Sequence, residues 1–355
     1  MTIKAAVIGC GRMGAFTSEG MKRWAPPAWF PLAHADAIAA HPELELAAVA
    51  DAAPEALERV KGVHPGVRTY TDLNALAADV RPALAGVATR TVGRTEVLET
   101  LHASGTRAFH CEKPLCNSMD ELERLKALFG RDDTHVTYGA LRRTFDIYRE
   151  ALAIAESGRL GALREVRVNF GAAPLYWTQA HAIDLILFGA RGRRVVEVQA
   201  RLESVEREGS VVHNDPVIQS AAIWFDDGVA GHIGRAPGLD FVLSCEGGEA
   251  IVRSDGRALE IAAPEGEDPY LTRREQAVEA REPLGALRCM HQLVDCLKGD
   301  AEARAANAVV KRDILLGQRI AFGLVQSHLE RARPVALAEV DPTMTIRAET
   351  HGRPA

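Results

Sequence analysis

The sequence predicts two α/β domains, the first with a doubly wound parallel sheet and the second with a large open, mostly antiparallel sheet. Two observations support this fold class. Over the first third of the chain, short apolar runs alternate with helical stretches, which is typical of a parallel sheet with helices on both faces. Further along, strand-like runs follow one another through Asp-Gly and Gly-Gly turns, as antiparallel strands do. We place the boundary at residue 140, which gives domains 1–140 and 141–355.

Five apolar runs predict the strands of the first domain. They cover residues 3–9, 44–51, 83–89, 107–111 and 135–138. The stretches 54–60, 72–78 and 94–104 between them have helical patterns. Asp72 suits a helix N-cap, and Ser118 with Glu121 forms a capping-box pattern before a helix that ends at Leu128.

The second domain is predicted to combine one long series of strands with several helices. A helix over 145–157, a strand over 163–170 and a helix over 177–187 come first. Strand-like runs then cover residues 195–202, 217–225, 229–233, 241–245, 250–253 and 259–262. Two helices, over 287–298 and 305–331, close the prediction.

The composition is that of an ordinary globular protein and limits its partners. The 355 residues are 47% hydrophobic and carry a formal net charge of −6. This acidic balance argues against a nucleic acid partner, because binding a phosphate backbone requires clustered Lys and Arg. No apolar run reaches the roughly 18 residues that predict a membrane span. The six cysteines form neither a Cys-x-x-Cys pair nor a zinc-type cluster with histidine, so we expect reduced thiols, no metal site and a cytoplasmic location.

Residues 9–14 form a Gly-x-Gly-x-x-Gly motif directly after the first predicted strand. In such a motif Gly9 allows the tight turn, Gly11 lets the backbone approach a diphosphate, and Gly14 lets helix and strand pack closely. The diphosphate binds to free backbone N–H groups at a helix N-terminus, here around Arg12 and Met13. At this position the motif predicts a Rossmann domain that binds a nicotinamide dinucleotide.

Asp51 ends the second predicted strand, where a carboxylate accepts hydrogen bonds from the adenosine ribose. It favours NAD over NADP, because a 2′-phosphate would be repelled and the next three residues include no arginine to bind it. The acid normally stands about 20 residues after the last glycine, whereas Asp51 stands 37 residues after Gly14. The extra length predicts an insertion over residues 21–35, which brings Trp29 and His34 near the cofactor or substrate.

Glu112, Lys113 and Pro114 follow the fourth predicted strand, at the sheet edge where ligands of parallel sheets bind. The Lys113 ammonium can hydrogen-bond to a substrate hydroxyl and stabilise the alkoxide-like charge that develops as hydride leaves. Glu112 can pair with this ammonium, and Pro114 restricts Lys113 to extended backbone conformations. The alternative is a surface Glu-Lys pair.

A second candidate group lies at the start of the helix predicted over 177–187. Trp177 and His181 are four residues apart, and His181 and Asp184 are three apart, so their side chains share one face. Histidine is the usual general acid or base near neutral pH. His181 is therefore a candidate for moving a hydroxyl proton, with Tyr176 as a possible second acid. The alternative is a hydrogen-bonded core histidine between the domains.

Taken in order along the chain, these motifs resemble those of the Gfo/Idh/MocA family of sugar and polyol oxidoreductases. The matching residues are 9–14, Asp51, Thr89, 112–115, Arg142-Arg143, Gly158-x-x-Gly161 and His181-Ala-Ile-Asp184. The resemblance implies a substrate pocket between the two domains, at the C-terminal ends of the parallel strands. It also implies a dimer or tetramer, which we expect to form through an apolar face of the open sheet.

The resemblance also implies roles for individual residues. Lys113 and His181 would be catalytic, and which of the two accepts the proton stays open. Asp184 and Arg142 would contact the substrate. Cofactor contacts would come from the glycine motif, Asp51 and the segments that contain Thr89-Arg90 and Glu112-Lys113.

The sequence departs from the family pattern at two places. Trp177 stands where many polyol-oxidising relatives carry aspartate, which removes a charge near His181 and adds an aromatic wall. Arg90 and Arg94 replace the usual proline and histidine after Thr89; they could bind an acidic group, or they are solvated arginines at a helix start.

We therefore expect an NAD-dependent dehydrogenase or reductase that acts on a CH–OH group of a sugar, inositol or related cyclic alcohol. Trp177 and the apolar insertion leave a second hypothesis, a reductase of an imine, an enone or an aromatic diol. A third hypothesis is a sensor that binds NAD(H) without turnover. The dehydrogenase hypothesis requires hydride transfer by the purified protein, whereas the sensor hypothesis requires cofactor binding alone.

Overall fold

The computed structural model describes residues 2–347, in which three β-sheets and ten α-helices are found. The strands are β1 (Ile3–Ile8), β2 (Leu44–Ala50), β3 (Arg68–Tyr70), β4 (Leu84–Val87), β5 (Ala108–Cys111), β6 (His135–Tyr138), β7 (Leu163–Asn169), β8 (Val195–Leu202), β9 (Arg207–Glu208), β10 (Val211–Val212), β11 (Ile218–Phe225), β12 (Ala230–Gly234), β13 (Asp240–Cys245), β14 (Gly248–Arg253), β15 (Ala258–Pro264), β16 (Leu271–Gln276), β17 (Val335–Ala336) and β18 (Thr345–Ile346). The helices are α1 (Glu19–Trp24), α2 (His34–Ala40), α3 (Pro54–Val63), α4 (Leu73–Val80), α5 (Arg94–Ala103), α6 (Met119–Phe129), α7 (Asp146–Glu156), α8 (Ala180–Ala190), α9 (Leu287–Lys298) and α10 (Ala301–Leu329).

The first six strands form a parallel sheet in the order β3-β2-β1-β4-β5-β6. Strands β4 and β5 are buried along their whole length, because helices cover both faces of the sheet. The strand order reverses between β1 and β4, and ligands of such sheets bind at the C-terminal ends of these neighbouring strands. The predicted Rossmann sheet is confirmed, and it places the glycine motif at this position.

An inserted segment splits the helix that follows the glycine motif. Residues 11–16 make only one helical turn before the chain departs. On its return at α2, the N–H of His34 donates to the carbonyl of Met13 at 2.9 Å, and the next residue bonds to Gly14 in the same way at 2.8 Å. A continuous helix would use residues 17 and 18 for these two bonds. The inserted segment is therefore residues 17–33, rather than 21–35 as the sequence suggested.

This register explains the spacing of Asp51. The inserted segment adds 17 residues to the 37 that separate Gly14 from Asp51, and without it the separation is 20. That is the usual distance between the glycine motif and the ribose-binding acid. The departure from the ordinary pattern is therefore confined to the inserted segment.

The inserted segment is held by backbone hydrogen bonds to the second domain. The N–H of Gly285 donates to the carbonyl of Ala28 at 3.2 Å, and the N–H of Ala286 donates to Pro31 at 2.8 Å. Gly285 has a φ of +54°, and a side chain there would collide with the carbonyl oxygens of the segment at 2.4 Å. These contacts fix the segment against the neighbouring domain.

The second sheet contains nine strands in the order β16-β15-β14-β13-β7-β12-β11-β8-β17. Only the pair β7 and β12 is parallel, so the predicted mostly antiparallel sheet is confirmed. Helices α7, α8 and α10 pack on one face of it. Strand β16 was not predicted, because its residues are mostly polar or charged, nearly all exposed, and show no apolar alternation.

The opposite face of this sheet carries both ion pairs and apolar side chains, so the expectation of an apolar interface there stays a prediction. Arg167 pairs with Glu249 at 2.5 Å, and Arg253 pairs with Asp240 at 2.7 Å. A small apolar cluster lies among these pairs and is already buried; it consists of Val242, Ile251 and Ala262. The other outward positions around this cluster include ionic side chains that pair across the strands.

The helix α10 joins the two sheets by packing on β6 and on β8. Asn307 exchanges hydrogen bonds of 3.0 and 2.8 Å with the backbone of Val136. Gln318 accepts a hydrogen bond from the N–H of Leu115 at 3.0 Å. The last helix thus returns to the first sheet, and the division at residue 140 stays a prediction.

The two helix caps predicted from the sequence are confirmed. Asp72 accepts a hydrogen bond from Asn74 N–H, and Ser118 with Glu121 forms the full capping box of α6. Within residues 2–347, none of the helices combines the length and the apolar character that crossing a membrane requires.

Candidate active site

A large cleft of about 650 Å³ lies at the C-terminal ends of the parallel strands. Residues after β1, β4, β5 and β6 line it, together with the inserted segment and the start of α8. The lining includes Gly11, Arg12, Met13, Met21, Trp24, Trp29, Thr89, Arg90, Arg94, Glu112, Lys113, Arg142, Phe145, Trp177 and His181. Most of the residues predicted for the site therefore meet in one cleft, as proposed from the motifs.

The glycine motif forms a backbone cradle at one end of this cleft, here called the cofactor end. Gly9 has a φ of +92°, and a Cβ there would lie 2.7 Å from the carbonyl carbon of Ala88. A Cβ on Gly14 would lie 1.7 Å from the carbonyl oxygen of Gly9. A Cβ on Gly11 would meet no protein atom within 4 Å, and it faces the open cleft. Gly9 and Gly14 have no room for a side chain, whereas Gly11 leaves space at the cleft for a dinucleotide diphosphate.

The Asp51 carboxylate is fixed by the backbone beside this cradle. Its Oδ2 accepts a hydrogen bond from Cys10 N–H at 2.6 Å, and its Oδ1 accepts one from Ala53 N–H at 2.9 Å. The remaining lone pairs can receive the two hydroxyls of a ribose. Burial and this carboxylate raise the pKa of the Cys10 thiol to about 12.

Thr89 and Arg90 continue the cofactor end after β4. The Thr89 hydroxyl oxygen is enclosed yet has no hydrogen-bond partner among the described residues. A buried hydroxyl without a partner is rare, and a bound ligand would satisfy it. Arg90 is exposed at the rim.

Arg94 is buried, so its interpretation as a solvated arginine is wrong. Its guanidinium donates to the carbonyl oxygens of Thr89, Glu112 and Pro114. Two of these carbonyls flank Lys113 directly in sequence. Arg94 therefore ties the loop that carries Lys113 to the loop after β4.

Glu112 pairs with His34 instead of with the ammonium of Lys113. The two side chains approach at 3.3 Å, and a Cβ on Gly139 would lie 2.7 Å from the carboxylate. Burial opposes the charge of Glu112, but the hydrogen bond and charge of His34, aided by Lys113, outweigh it and lower the pKa of Glu112 to about 2. The carboxylate is thus ionised behind the site, and the inserted segment ends immediately before its partner His34.

Lys113 projects into the cleft against Trp177. Its Nζ donates to the Trp177 carbonyl at 2.6 Å and lies 3.9 Å from the centre of the indole ring. Burial lowers the pKa of Lys113 to about 8, because the attraction of Glu112 only partly offsets burial and the repulsion from Arg142 and Arg94. The amine is therefore able to gain and lose a proton near neutral pH.

His181 is the second residue of α8 and faces the same cleft. Its Nδ1 is enclosed and has no hydrogen-bond partner among the described residues, which leaves Nε2 as the nitrogen open to the cleft. Burial, together with the positive charges of Arg142 and Lys113, lowers the pKa of His181 well below its ordinary value. The imidazole is therefore neutral at physiological pH and can accept a proton.

Asp215 positions the backbone that leads to His181, a role the sequence did not suggest. Its carboxylate accepts hydrogen bonds from the N–H groups of Tyr176 and Trp177 at 2.8 and 2.9 Å. These residues lie in a π-helical turn over Leu175–Gln179 that precedes α8. The predicted helix start at 177 is thus a wider turn, and a distant carboxylate caps it.

Arg142 lines the other end of the cleft, here called the substrate end. Its Nε and Nη2 donate to the two oxygens of Asp255 at 2.5 and 2.7 Å. The guanidinium lies 4.9 Å from the ring centres of both Trp29 and Phe170. Arg142 is therefore held rigidly, with one edge toward the cleft.

Asp184 and Tyr176 are not brought to this cleft. Asp184 is buried and pairs with Arg143 at 2.9 Å, and the same guanidinium pairs with Asp313 at 3.0 Å. Tyr176 is buried and its hydroxyl accepts a hydrogen bond from Gln318 at 3.2 Å. Contact of Asp184 or Tyr176 with a substrate in the cleft is not supported by this geometry, because both side chains are enclosed in the packing of α8 against α10.

Comparison with known proteins agrees with this geometry. Residues 3–140 match the model of an oxidoreductase family with an NAD-binding Rossmann fold, GFO_IDH_MocA. Over 171 residues the chain is 27% identical to inositol 2-dehydrogenase of Rhizobium meliloti (strain 1021), a match that spans 48% of this chain and 45% of that enzyme.

Solved structures with this fold cover nearly the whole chain. An NAD-binding protein from Listeria innocua superposes with a TM-score of 0.72 at 16% identity, covering 96% of this chain and 98% of that one. An inositol dehydrogenase homologue from Azotobacter vinelandii, solved with NADH and myo-inositol, gives 0.73 at 16% identity, covering 95% and 98%. Residues 3–140 therefore correspond to the NAD-binding Rossmann domain of the Gfo/Idh/MocA oxidoreductases, and the fold of the chain as a whole is shared with these solved structures.

Proposed function

We propose that the protein is an NAD-dependent dehydrogenase or reductase that acts on a CH–OH group of a sugar, inositol or related cyclic alcohol. The observation that carries this proposal is the convergence of Lys113 and His181 in one cleft with the glycine cradle. When bound there, NAD supplies the hydride acceptor at C4 of its nicotinamide ring.

The side chains supply the remaining chemistry. In the oxidation direction the substrate carbon would lose a hydride and its hydroxyl a proton, so that the alcohol becomes a carbonyl, and bound NAD⁺ would take up the hydride. The ammonium of Lys113 donates a hydrogen bond to the substrate oxygen and stabilises its developing negative charge. Nε2 of neutral His181 accepts the hydroxyl proton and later releases it to solvent.

Direct assay tests this proposal. Purified protein with NAD⁺ and a panel of cyclic alcohols should produce NADH, followed by absorbance at 340 nm. His181→Asn and Lys113→Met should each lower kcat by about 10²- to 10⁴-fold, the usual contribution of a positioned acid or base. Lys298→Met is a suitable control, because Lys298 forms an exposed ion pair with Glu43 far from the cleft. Full activity in both cleft variants would contradict the assignment.

One observation favours a second candidate, a reductase of a planar imine, enone or aromatic diol. Trp177 stands 39% exposed at the cleft, beside the aromatic walls of Trp29 and Phe145. Activity restricted to planar compounds would support this candidate over a cyclic alcohol dehydrogenase. Tight NAD(H) binding with no turnover on either panel would instead indicate a sensor.

Assembly and location form a further part of the proposal. We expect a homodimer or homotetramer of cytoplasmic protein, with the open sheet as its interface. We expect ionic side chains of this face to contribute to the interface beside its apolar cluster, so raised salt should weaken the oligomer. Light scattering at low and high salt measures this dependence.

A further inference from the structure

The substrate end of the cleft presents mainly hydrogen-bond donors and aromatic rings. Lys113 and Arg142 supply the donors, and Trp29, Phe145 and Trp177 supply the walls. Among residues 2–347, Glu112 is the single carboxylate in the lining, and it faces His34. Nε2 of His181 is the acceptor assigned to the reacting hydroxyl, and a carboxylate, which only accepts, matches the remaining donors better than a further neutral hydroxyl does.

The geometry of Arg142 makes it suited to bind a planar anion. Asp255 occupies Nε and one hydrogen of Nη2, and no acceptor among the described residues contacts Nη1. The end of the guanidinium formed by Nη1 and Nη2 is therefore left for a ligand. Trp29 and Phe170 hold its plane, so little freedom is lost when a carboxylate binds to both nitrogens.

The charge of the whole cleft agrees with this assignment. Five cationic side chains line it, and they are Arg12, Arg90, Arg94, Lys113 and Arg142. The protein as a whole carries a net charge of −6, so the cleft has the opposite sign to the molecule. Arg12 and Arg90 lie at the cofactor end, and Arg94 is already bonded to three carbonyl oxygens. Lys113 and Arg142 at the substrate end remain, and such a cleft concentrates anions.

We propose that the substrate is a ring alcohol that carries a carboxylate, with the carboxylate bound to Arg142 and the reacting hydroxyl to Lys113. The ring lies against the indole of Trp177, which stands beside Lys113. This inference rests on the proposed dehydrogenase function and narrows its substrate class. Arg142 is a specificity residue in this assignment, and Lys113 and His181 keep the catalytic roles.

Binding of matched ligands tests the inference without relying on turnover. Protein saturated with NADH, which cannot oxidise an alcohol, is titrated by calorimetry with glucuronate and with glucose. A second pair is 3-hydroxycyclohexanecarboxylate and 3-(hydroxymethyl)cyclohexanol. In at least one pair the acid should bind about 10- to 100-fold more tightly than its neutral partner, as expected for a charge-assisted hydrogen-bonded contact.

The variants are chosen so that the fold survives. Arg142→Met combined with Asp255→Asn removes both partners of the buried pair and leaves no lone charge. It should abolish the preference for the acid while NADH binding persists. Arg142→Lys, which keeps a charge but not the planar fork, should retain part of the preference. Arg194→Met is the control, because Arg194 pairs with Asp226 at an exposed position.

Each outcome bears on a distinct claim. Oxidation of neutral ring alcohols with no acid preference in either pair would overturn the carboxylate assignment and leave the dehydrogenase intact. An acid preference that persists in the double variant would also overturn it, since Arg142 would not be the binding residue. Failure of the protein to bind NADH would overturn both proposals.

Discussion

The two ends of the cleft are built in different ways. The cofactor end is made from backbone, in the glycine motif and in the loop after β4. The substrate end is made from side chains that come from four distant parts of the chain, namely Trp29, Lys113, Arg142 and His181. The backbone conformation of the glycine motif can be predicted from its own residues, whereas the meeting of distant side chains depends on tertiary packing. The comparison suggests that the two ends respond to mutation independently.

The largest expected effect comes from adding a methyl group to the cofactor end. In Gly14→Ala the Cβ would lie 1.7 Å from a carbonyl oxygen, so the backbone must shift. We expect a loss of stability on the order of 3 kcal/mol and about 100-fold weaker NADH binding, equivalent to nearly the same free energy. Thermal unfolding and calorimetric titration measure the two effects.

Gly11→Ala is the matched control for that variant. Its Cβ meets no protein atom, so the melting temperature should stay unchanged. NADH affinity should nevertheless fall, because the diphosphate occupies that side of the loop. Unchanged NADH affinity in Gly11→Ala would contradict the assigned cradle.

Arg94→Met tests the connection between the two ends. Three carbonyl groups lose their donor, and each buried unpaired group destabilises by about 1–3 kcal/mol. Stability should therefore fall by at least about 2 kcal/mol, and kcat should fall too, because the Lys113 loop is no longer tied to the loop after β4. Exposed Arg90→Met should change stability by less than about 0.5 kcal/mol. Equal effects of the two variants would disprove the special role of Arg94.

The pH dependence tests the substrate end and decides which group carries the proton. The pKa of Lys113 is about 8, so its ammonium is present below that pH and lost above it. If the ammonium stabilises the alkoxide, kcat/KM should fall about tenfold for each pH unit above roughly 8. Lys113→Arg, which stays charged, should remove this decline even at a lower overall rate. A rate that rises through pH 8 would make the neutral amine of Lys113 the base instead.

Asp51→Asn should have the smallest effect. The amide oxygen still accepts one of the two backbone bonds, so the melting temperature should change little. Loss of the charged acceptor should weaken NADH binding by about tenfold, and NADPH should bind less unfavourably relative to NADH. An unchanged ratio of NADH to NADPH affinity would remove Asp51 from the ribose site.

The cofactor end could be predicted closely from sequence for a physical reason. Gly9 is favoured by its positive φ in the turn after β1, Gly14 by its contact with Gly9, and Asp51 by its place at a strand end. Periodicity also located both sheets, because burial on one or two faces is a local pattern. The helix boundaries followed from side-chain caps such as Asp72.

The substrate end was predicted only in part. Lys113 and His181 came from motifs. Asp215, which caps the turn before His181, and Asp255, which pairs with Arg142, are far away in sequence and carry no local signal. The adjacent residues Arg142 and Arg143 illustrate the limit, since one faces the cleft and the other is buried. A dipeptide cannot show which side chain meets Asp255 and which meets Asp184.

The inserted segment has a consequence for how such proteins diversify. Since the helical hydrogen bonds resume across it in register, removing residues 17–33 would leave a continuous helix and an unaltered parallel sheet. The same removal would take Trp24 and Trp29 out of the cleft and release Arg142 from one of its aromatic neighbours. A segment of this kind can differ between related proteins without a change in the helix or the sheet. Its replacement would alter the walls of the substrate end and leave Lys113 and His181 in place.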